Sequence, residues 1–552
     1  VPVVLDREGD RVVVRDLDDA GSETARTDVV VDDFPAYAAE REAAEHPRWI
    51  WSDTTEWYPR LLLAGVRLER AADLRLCRRI LRGAAATAGT PLTTRPRDGW
   101  DAAPSAPVHD VGAALFDLTE RVERDSALEE HLRQAEAVAL SSEPGVLALL
   151  LAAESVGALT AAEMSHAGLP WSAARHDEIL TELLGARPVA GRPARMEALV
   201  VRLRQLLDAP DLDPDSPERL LRALQNAGLP ARSTRSWELK ELQHPVIAPL
   251  LEYKKLARVL TANGWNWVDS WVHDGRFRPV YVVGGVVTGR WASDGGGALQ
   301  LPHQVRGAVV ADPGWKLVVA DAAQLEPRVL AAMSGDAAMA RAGRAHDLYE
   351  GIVQSGAVAD RNEAKYGMLG AIYGGTTGVS GRVLPRMRRA FPDAMHLVEE
   401  AARAGERGER VRTWLGRTSP SRGGEGYDET LSPEARDRAR SDARSWGRFT
   451  RNFVVQGTAA EWAMCWMGSL RRRLWDLGEG EPGAARHPFA RRPHLAFFLH
   501  DEVMVHTPAE FADQVEHEVR AAAADAGRML FPSAPVEFAL TVAQVDSYDR
   551  AK

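Results

Sequence analysis

The stretch Trp315-Lys-Leu-Val-Val-Ala-Asp321-Ala-Ala-Gln324-Leu-Glu326-Pro-Arg328, read together with Leu495-Ala-Phe-Phe-Leu-His500-Asp501-Glu502-Val-Met-Val505, decides how this chain folds. Each opens with a short apolar run that predicts a strand buried on both faces, and each run stops at an acid. Carboxylates brought to adjacent strand ends can hold two divalent ions roughly 4 Å apart, which clamp the attacking and leaving oxygens of an in-line phosphoryl transfer. Taken singly, Asp321 or Asp501 reads equally well as a surface turn residue. The segments around them weigh against that reading.

Between the two acids lies Arg361-Asn-Glu-Ala-Lys365-Tyr-Gly-Met-Leu369-Gly-Ala-Ile-Tyr373-Gly374-Gly375. Arg361, Lys365, Leu369 and Tyr373 recur every four positions, so a helix lines them up in one slowly drifting stripe. Two cations, an apolar residue and an aromatic follow one another, and the glycine pair suits a helix C-terminus. That order matches a nucleoside triphosphate laid along the helix, its phosphates on Arg361 and Lys365, its sugar and base towards Leu369 and Tyr373. An amphipathic helix with a solvated basic edge gives the same pattern. A second stripe, Arg448, Asn452 and Gln456, offers three long hydrogen-bonding side chains to the minor-groove edge of a duplex, where readout is degenerate; alone it is equally a polar surface face.

In order and spacing, these segments resemble the three signature motifs of family A (polymerase-I-like) DNA polymerases. Asp321 to Arg328 resembles motif A, Arg361 to Gly374 motif B, and His500-Asp501-Glu502 motif C. Thr288-Gly289-Arg290 and Leu299-Gln300-Leu301-Pro302 resemble the primer-template segment, and Glu252-Tyr253-Lys254-Lys255-Leu256 the thumb helix. Arg412 to Arg417, Gln456 to Ala460 and Asp546 to Lys552 fit as well, so the likeness runs from about residue 145 to the end.

The resemblance implies an α/β (mixed α+β) right-hand polymerase of palm, fingers and thumb, preceded by a ribonuclease-H-like exonuclease-type domain. It implies that Asp321 and Asp501, with the carbonyl of Ala322 and with Glu502 close by, bind two Mg²⁺ ions, which Mn²⁺ can replace. Arg361 and Lys365 would hold the triphosphate of a dNTP, Lys365 also protonating the leaving pyrophosphate, with Gln324, Leu369 and Tyr373 completing the nucleotide site. Glu326 would fill the space of a ribose 2′-hydroxyl and hydrogen-bond Tyr373. Arg290, Arg448, Asn452, Gln456 and His500 would contact primer-template DNA. The sequence departs from the family at Leu369, where an aromatic residue usually packs on the incoming sugar, at Ala322-Ala323, usually Tyr-Ser, and at Pro327. None of these removes a charged catalytic group.

At 552 residues the chain exceeds one compact core and should divide into several domains. We expect an exonuclease-like domain over 1–140, a thumb over 141–275, palm over 276–335 and 445–552, and fingers over 336–444. Strands are expected near Val1–Leu5 and Arg11–Val14, a helix over Ala71–Ala84, and loops within Ala404–Ser441 and over Gly478–Pro493. No run of 18 or more apolar residues is seen and no signal segment, which points to no membrane span and to a bacterial cytosol or nucleoid. Two cysteines, Cys77 and Cys465, fit a reducing compartment. The formal charge of −10 hides local basic tracks at Arg382–Arg389 and Arg471–Arg473 that could follow DNA or simply be solvated. A monomer is expected.

Proofreading by 1–140 would need converging carboxylates. Asp6-Arg7-Glu8 has one such spacing, but Glu8-Gly9-Asp10 reads better as a hairpin turn. Trp51-Ser52-Asp53-Thr54-Thr55-Glu56-Trp57 lacks the usual context, and no tyrosine there has an acid four positions on. The expectation is a vestigial exonuclease fold and a DNA-templated DNA polymerase without proofreading, serving replication or repair. The rivals are a polymerase with residual 3′–5′ exonuclease, a single-subunit RNA polymerase, against which Glu326 speaks, and a catalytically silent DNA-binding scaffold, against which Asp321, Asp501 and Lys365 speak.

Overall fold

The computed structural model describes residues 1–102, 125–375, 377–423 and 433–551. Three strands open the chain, β1 (Pro2–Glu8), β2 (Arg11–Leu17) and β3 (Glu23–Val30), followed by β4 (Arg48–Trp51) and β5 (Arg70–Asp73). The expected turn at Gly9-Asp10 is present, with Gly9 at φ 63°, where a residue without Cβ is favoured. The sheet order is β3-β2-β1-β4-β5, an antiparallel meander continued by two parallel strands. Helices α1 (Thr54–Leu63), α2 (Leu74–Gly83) and α3 (Ala127–Ala139) pack around it. The helix expected from Ala71 begins only at Leu74, because Arg70–Asp73 pair with β4 and Asp73 then caps the helix through the Leu76 amide, 2.9 Å away.

Helix α4 (Pro144–Ala167) joins the two halves of the protein. It packs on α1, on β5 and on the long carboxyl-terminal helix. By length and composition it could cross a membrane, although Glu154 and Glu163 interrupt its apolar run. Its burial argues for a core helix instead: Glu154 and Glu163 are buried on it with arginine partners. Around Glu163 the Tyr58 hydroxyl donates at 2.6 Å and Arg471 through Nε at 2.7 Å. Breaking such a buried, paired charge costs about 3–5 kcal/mol, so this cluster fastens the amino-terminal sheet to the rest. It also corrects the reading of Arg471–Arg473 as a DNA track: Arg471 is buried, and Arg473 is held by Glu518 and Asp525 at 2.6 Å each.

Helix α5 (Ile247–Asn263) packs with Ala194–Leu206. The second sheet follows from β6 (Trp315–Ala322) and continues through α6 (Leu325–Ser334), α7 (Arg361–Tyr373), α8 (Pro392–Glu406) and α9 (Pro433–Asp476). It is completed by β7 (His494–Leu499), β8 (Glu502–Pro508) and β9 (Leu540–Val545), with α10 (Ala512–Leu530) between the last two strands. All pairings are antiparallel in the order β7-β8-β6-β9. Every residue of β7 and β8 is buried, as the apolar runs require. The 445 boundary drawn from sequence falls inside α9, a single helix of 44 residues. Within Ala404–Ser441, expected as loop in part, 404–406 end α8 and 433–441 open α9, 407–423 carry no helix, and 424–432 lie outside the described residues. Gly478–Pro493 carries no helix or strand.

Candidate active site

Strands β7 and β8 are joined by a two-residue turn, His500-Asp501, with Leu499 paired to Glu502. Such tight hairpins need positive φ to match strand twist, and His500 takes φ 61°, a region histidine enters more readily than β-branched residues. The turn carries Asp501 to the end of the sheet where β6 also ends. Asp321 lies opposite Glu502, and the Ala322 amide donates to the Asp501 carbonyl at 3.0 Å. Three carboxylates thus gather at one sheet end. Burial, and after it the charge of Asp321, pushes the Asp501 carboxyl up to about 6. Glu502 is buried and accepts the Tyr548 hydroxyl, whose ring lies under the Arg306 guanidinium at 4.4 Å. Burial lowers the His500 imidazole, with the Arg290 charge acting the same way.

The stripe helix α7 is bounded as its ends dictate. Asp360 caps it through the Glu363 amide at 2.8 Å, and Gly374 closes it at φ 75° with its amide on Gly370 O at 2.9 Å. A Cβ on Gly374 would stand 2.7 Å from Arg448 Cγ, so the glycine also lets the stem of Arg448 lie against the helix end. Arg361 is ion-paired to Asp347 at 2.8 Å and lies over the Tyr349 ring at 5.4 Å. Lys365 is exposed, Leu369 half-buried, and Tyr373 exposed at 41%.

Glu326, on the first turn of α6, accepts the Tyr373 hydroxyl at 2.8 and 3.0 Å and a guanidinium nitrogen of Arg290. These bonds link motif A, motif B and the Thr288–Arg290 segment at one carboxylate. Gln324 enters α6 at φ 50° and its amide oxygen takes the Leu348 N–H at 3.1 Å, so that oxygen is committed to the fold. Gln456 accepts from Thr288 Oγ1 at 3.1 Å. Asn452 Oδ1 is buried without a hydrogen-bond partner among the described residues, a costly state that a ligand's donor would relieve.

A cleft of about 270 Å³ lies between α7, α9 and the sheet end, and Arg290, Gln324, Glu326, Leu369, Tyr373, His500 and Asp501 all line it. The structure therefore brings these seven sequence-derived residues to one cleft, with Asp321 and Glu502 paired at the adjoining sheet end, while Arg361, Lys365, Arg448, Asn452 and Gln456 lie outside its lining. Sequence reading gave no role to Arg328, which is buried and donates to Ala323 O, Glu537 O and His346 O at 2.7–2.8 Å, pinning the turn after Asp321. Asp347 and Tyr548 were likewise missed as partners; only their neighbourhood in sequence to quoted motifs could have marked them. For divalent ions the fit is good. Clustered carboxylates with a backbone carbonyl are hard oxygen donors of the kind Mg²⁺ prefers, and burial together with the charge of Asp321 raises Asp501, a strain that a bound cation would relieve.

The model of DNA polymerase family A matches residues 194–545. Among curated relatives, the thermostable DNA polymerase I of Thermus aquaticus is 27% identical over 362 residues, 59% of this chain and 40% of that one. That of Thermus filiformis is 28% identical over 314 residues, 52% of this chain and 35% of that one. The chain thus corresponds to about two fifths of these relatives' length or less. Among solved structures, the POL domain of Pol1 from M. smegmatis, in complex with DNA primer-template and dNTP, superposes with a TM-score of 0.66 at 18% identity, covering 100% of this chain and 95% of that one. At that identity the likeness shows the fold.

Proposed function

The chain belongs to DNA polymerase family A, and from that premise we propose that it extends a primer 3′-hydroxyl with dNTPs along a DNA template, without proofreading. The observation that carries the proposal is the convergence of Asp321 and Asp501 from paired strand ends beneath a cleft whose far wall is the Tyr373–Glu326 contact. Asp321, Asp501 and the Ala322 carbonyl would hold two divalent cations, with Glu502 beside them. When bound, such ions lower the pKa of the attacking hydroxyl and steady the triphosphate.

The chain's own groups do the rest. Arg361 exchanges Asp347 for phosphate oxygens, and Lys365 neutralises and protonates the leaving pyrophosphate. The Glu326 side chain, fixed by Tyr373 and Arg290, occupies the room of a 2′-hydroxyl. Asn452 and Gln456 read the minor groove through acceptors common to all correct pairs. We divide the chain accordingly into an exonuclease-like domain, thumb, palm and fingers, with α9 running from fingers into palm.

The absence of proofreading rests on the amino-terminal sheet. Asp6 is bound to Arg15 and accepts the Ala127 amide, the first of α3, at 2.7 Å. Glu8 faces Arg15 and Arg26 at 3.8 and 3.6 Å. A guanidinium stands where a cation site would need open carboxylates. The bacterial relatives support a bacterial DNA-processing role, in replication or repair. The test is primer extension on plain and gapped templates with dNTPs and rNTPs compared: template-directed growth with dNTPs is expected on both, and no growth under any condition would refute the proposal.

A further inference from the structure

Arg79 belongs to α2, in the amino-terminal region, yet its guanidinium reaches the polymerase half. It donates to the Val283 carbonyl at 3.1 Å and lies 3.8 Å from Glu154 Oε1. Val283 opens the segment that joins the short paired strands Tyr281–Val282 and Ala292–Ser293. The far end of that segment carries Thr288, bonded to Gln456, and Arg290, bonded to Glu326.

Two glycines let the segment lie on a buried charge cluster. Gly284 has φ 57°, and a Cβ there would meet Glu154 Oε1 at 2.2 Å and Arg79 Nη2 at 2.8 Å. Gly289 has φ 87°, and a Cβ there would meet Arg417 Nε at 2.5 Å. Arg417 pairs with the other oxygen of Glu154 at 2.8 Å, and Glu154 is fully buried. Glu154 therefore stands between two guanidinium groups, one from each half of the molecule, and the segment is draped over all three. A separate contact holds α2 to the same place: the Ala85 amide donates to Thr418 Oγ1 at 2.9 Å, next to Arg417.

We propose that Arg79 is a positioning residue for primer-terminus recognition: through Glu154, Arg417 and the Val283 carbonyl, the amino-terminal domain holds Arg290 and Gln456 in place. This rests on the polymerase reading above. A buried carboxylate that loses one of two cationic partners relaxes its neighbours, and the glycine-containing segment lies directly against that carboxylate and both guanidinium groups. Retention of a domain without its own cleavage chemistry then has a physical reason.

The experiment compares Arg79→Ala and Arg79→Lys with wild type in the full chain, by hydrogen exchange and by extension of matched and 3′-mismatched primers. Because the Arg79 side chain is 45% exposed, the variant should fold. In Arg79→Ala, amides of Val283–Trp291 should exchange about threefold faster while β6 and β8 do not change. The matched-over-mismatched ratio of kcat/KM should fall by about the same factor, and Arg79→Lys should recover part of both. Unchanged exchange in Val283–Trp291, or loosening spread evenly over the chain, overturns the proposal. A wild-type protein that extends neither primer refutes the polymerase reading, and the exchange data still decide the brace.

Discussion

The two largest sheets among the described residues both carry aspartates on or beside their strands, and the surroundings of those aspartates differ. In the amino-terminal sheet each carboxylate is spent on the fold. Asp6 takes Arg15 and the first amide of α3, Asp53 takes the Thr55 amide at 2.9 Å, and Asp73 takes the Thr54 and Leu76 amides at 2.7 and 2.9 Å. In the other sheet Asp501 is half-buried near Asp321 and lines a cleft. Burial and a like charge raise Asp73 too, to about 7, so a shifted carboxyl alone does not mark a catalytic site. What separates the two regions is a cleft beside the acids, lined by Arg290, Glu326, Tyr373 and His500.

The contrast breaks most visibly if the palm does not depend on the cations beside its acids. Lys365→Ala should slow extension by about 10²–10⁴-fold, the usual worth of a positioned proton donor, with primer-template affinity retained. Single-turnover rates against titrated DNA binding check this, and a variant extending near wild-type rate would remove α7 from the site. A smaller effect is expected at the sugar. Glu326→Ala should improve ribonucleotide insertion relative to deoxyribonucleotide by about tenfold or more, the scale on which a pocket rejects a misfitting group. An unchanged ratio would sink the gate.

The smallest effect concerns stability without metal. The folded-state pKa of Asp501, about 6, lies above the ordinary 3.8. Its contribution is therefore fully present below pH 3.8 and lost as pH rises through about 6. At pH 8 the ionised group should cost the metal-free fold about 2–3 kcal/mol, so Asp501→Asn should melt above wild type in chelator, and added Mg²⁺ should narrow the gap by stabilising only wild type. Equal melting curves in chelator would place Asp501 outside a crowded anionic site.

Much of this was legible before any coordinates. Strand ends at Asp321 and Asp501, the α7 stripe and its glycine stop follow from local periodicity and capping, which act over a few residues. The Glu8-Gly9-Asp10 turn was legible for the same reason. Long-range partners were not. Nothing local reveals that Arg471 faces Glu163, that Arg361 rests on Asp347, or that Arg328 spans the carbonyls of a distant turn. The strand at Arg70–Asp73 escaped notice because its residues have modest strand propensity and are held by pairing with β4. The length of α9 was not legible either, because the helix runs on past position 445, where the residue pattern shifts.

The most direct measurement is a labelled primer on a DNA template with Mg²⁺, run in parallel for wild type, Asp321→Ala, and the Asp6→Ala/Glu8→Ala double variant. Loss of one carboxylate that holds the ions removes several kcal/mol of transition-state stabilisation, a fall of at least about 10³-fold. The account predicts full extension by wild type and by the double variant, none by Asp321→Ala, and no shortening of a mismatched primer by any of them without dNTPs. Extension that survives Asp321→Ala, or primer shortening that vanishes in the double variant, would contradict it.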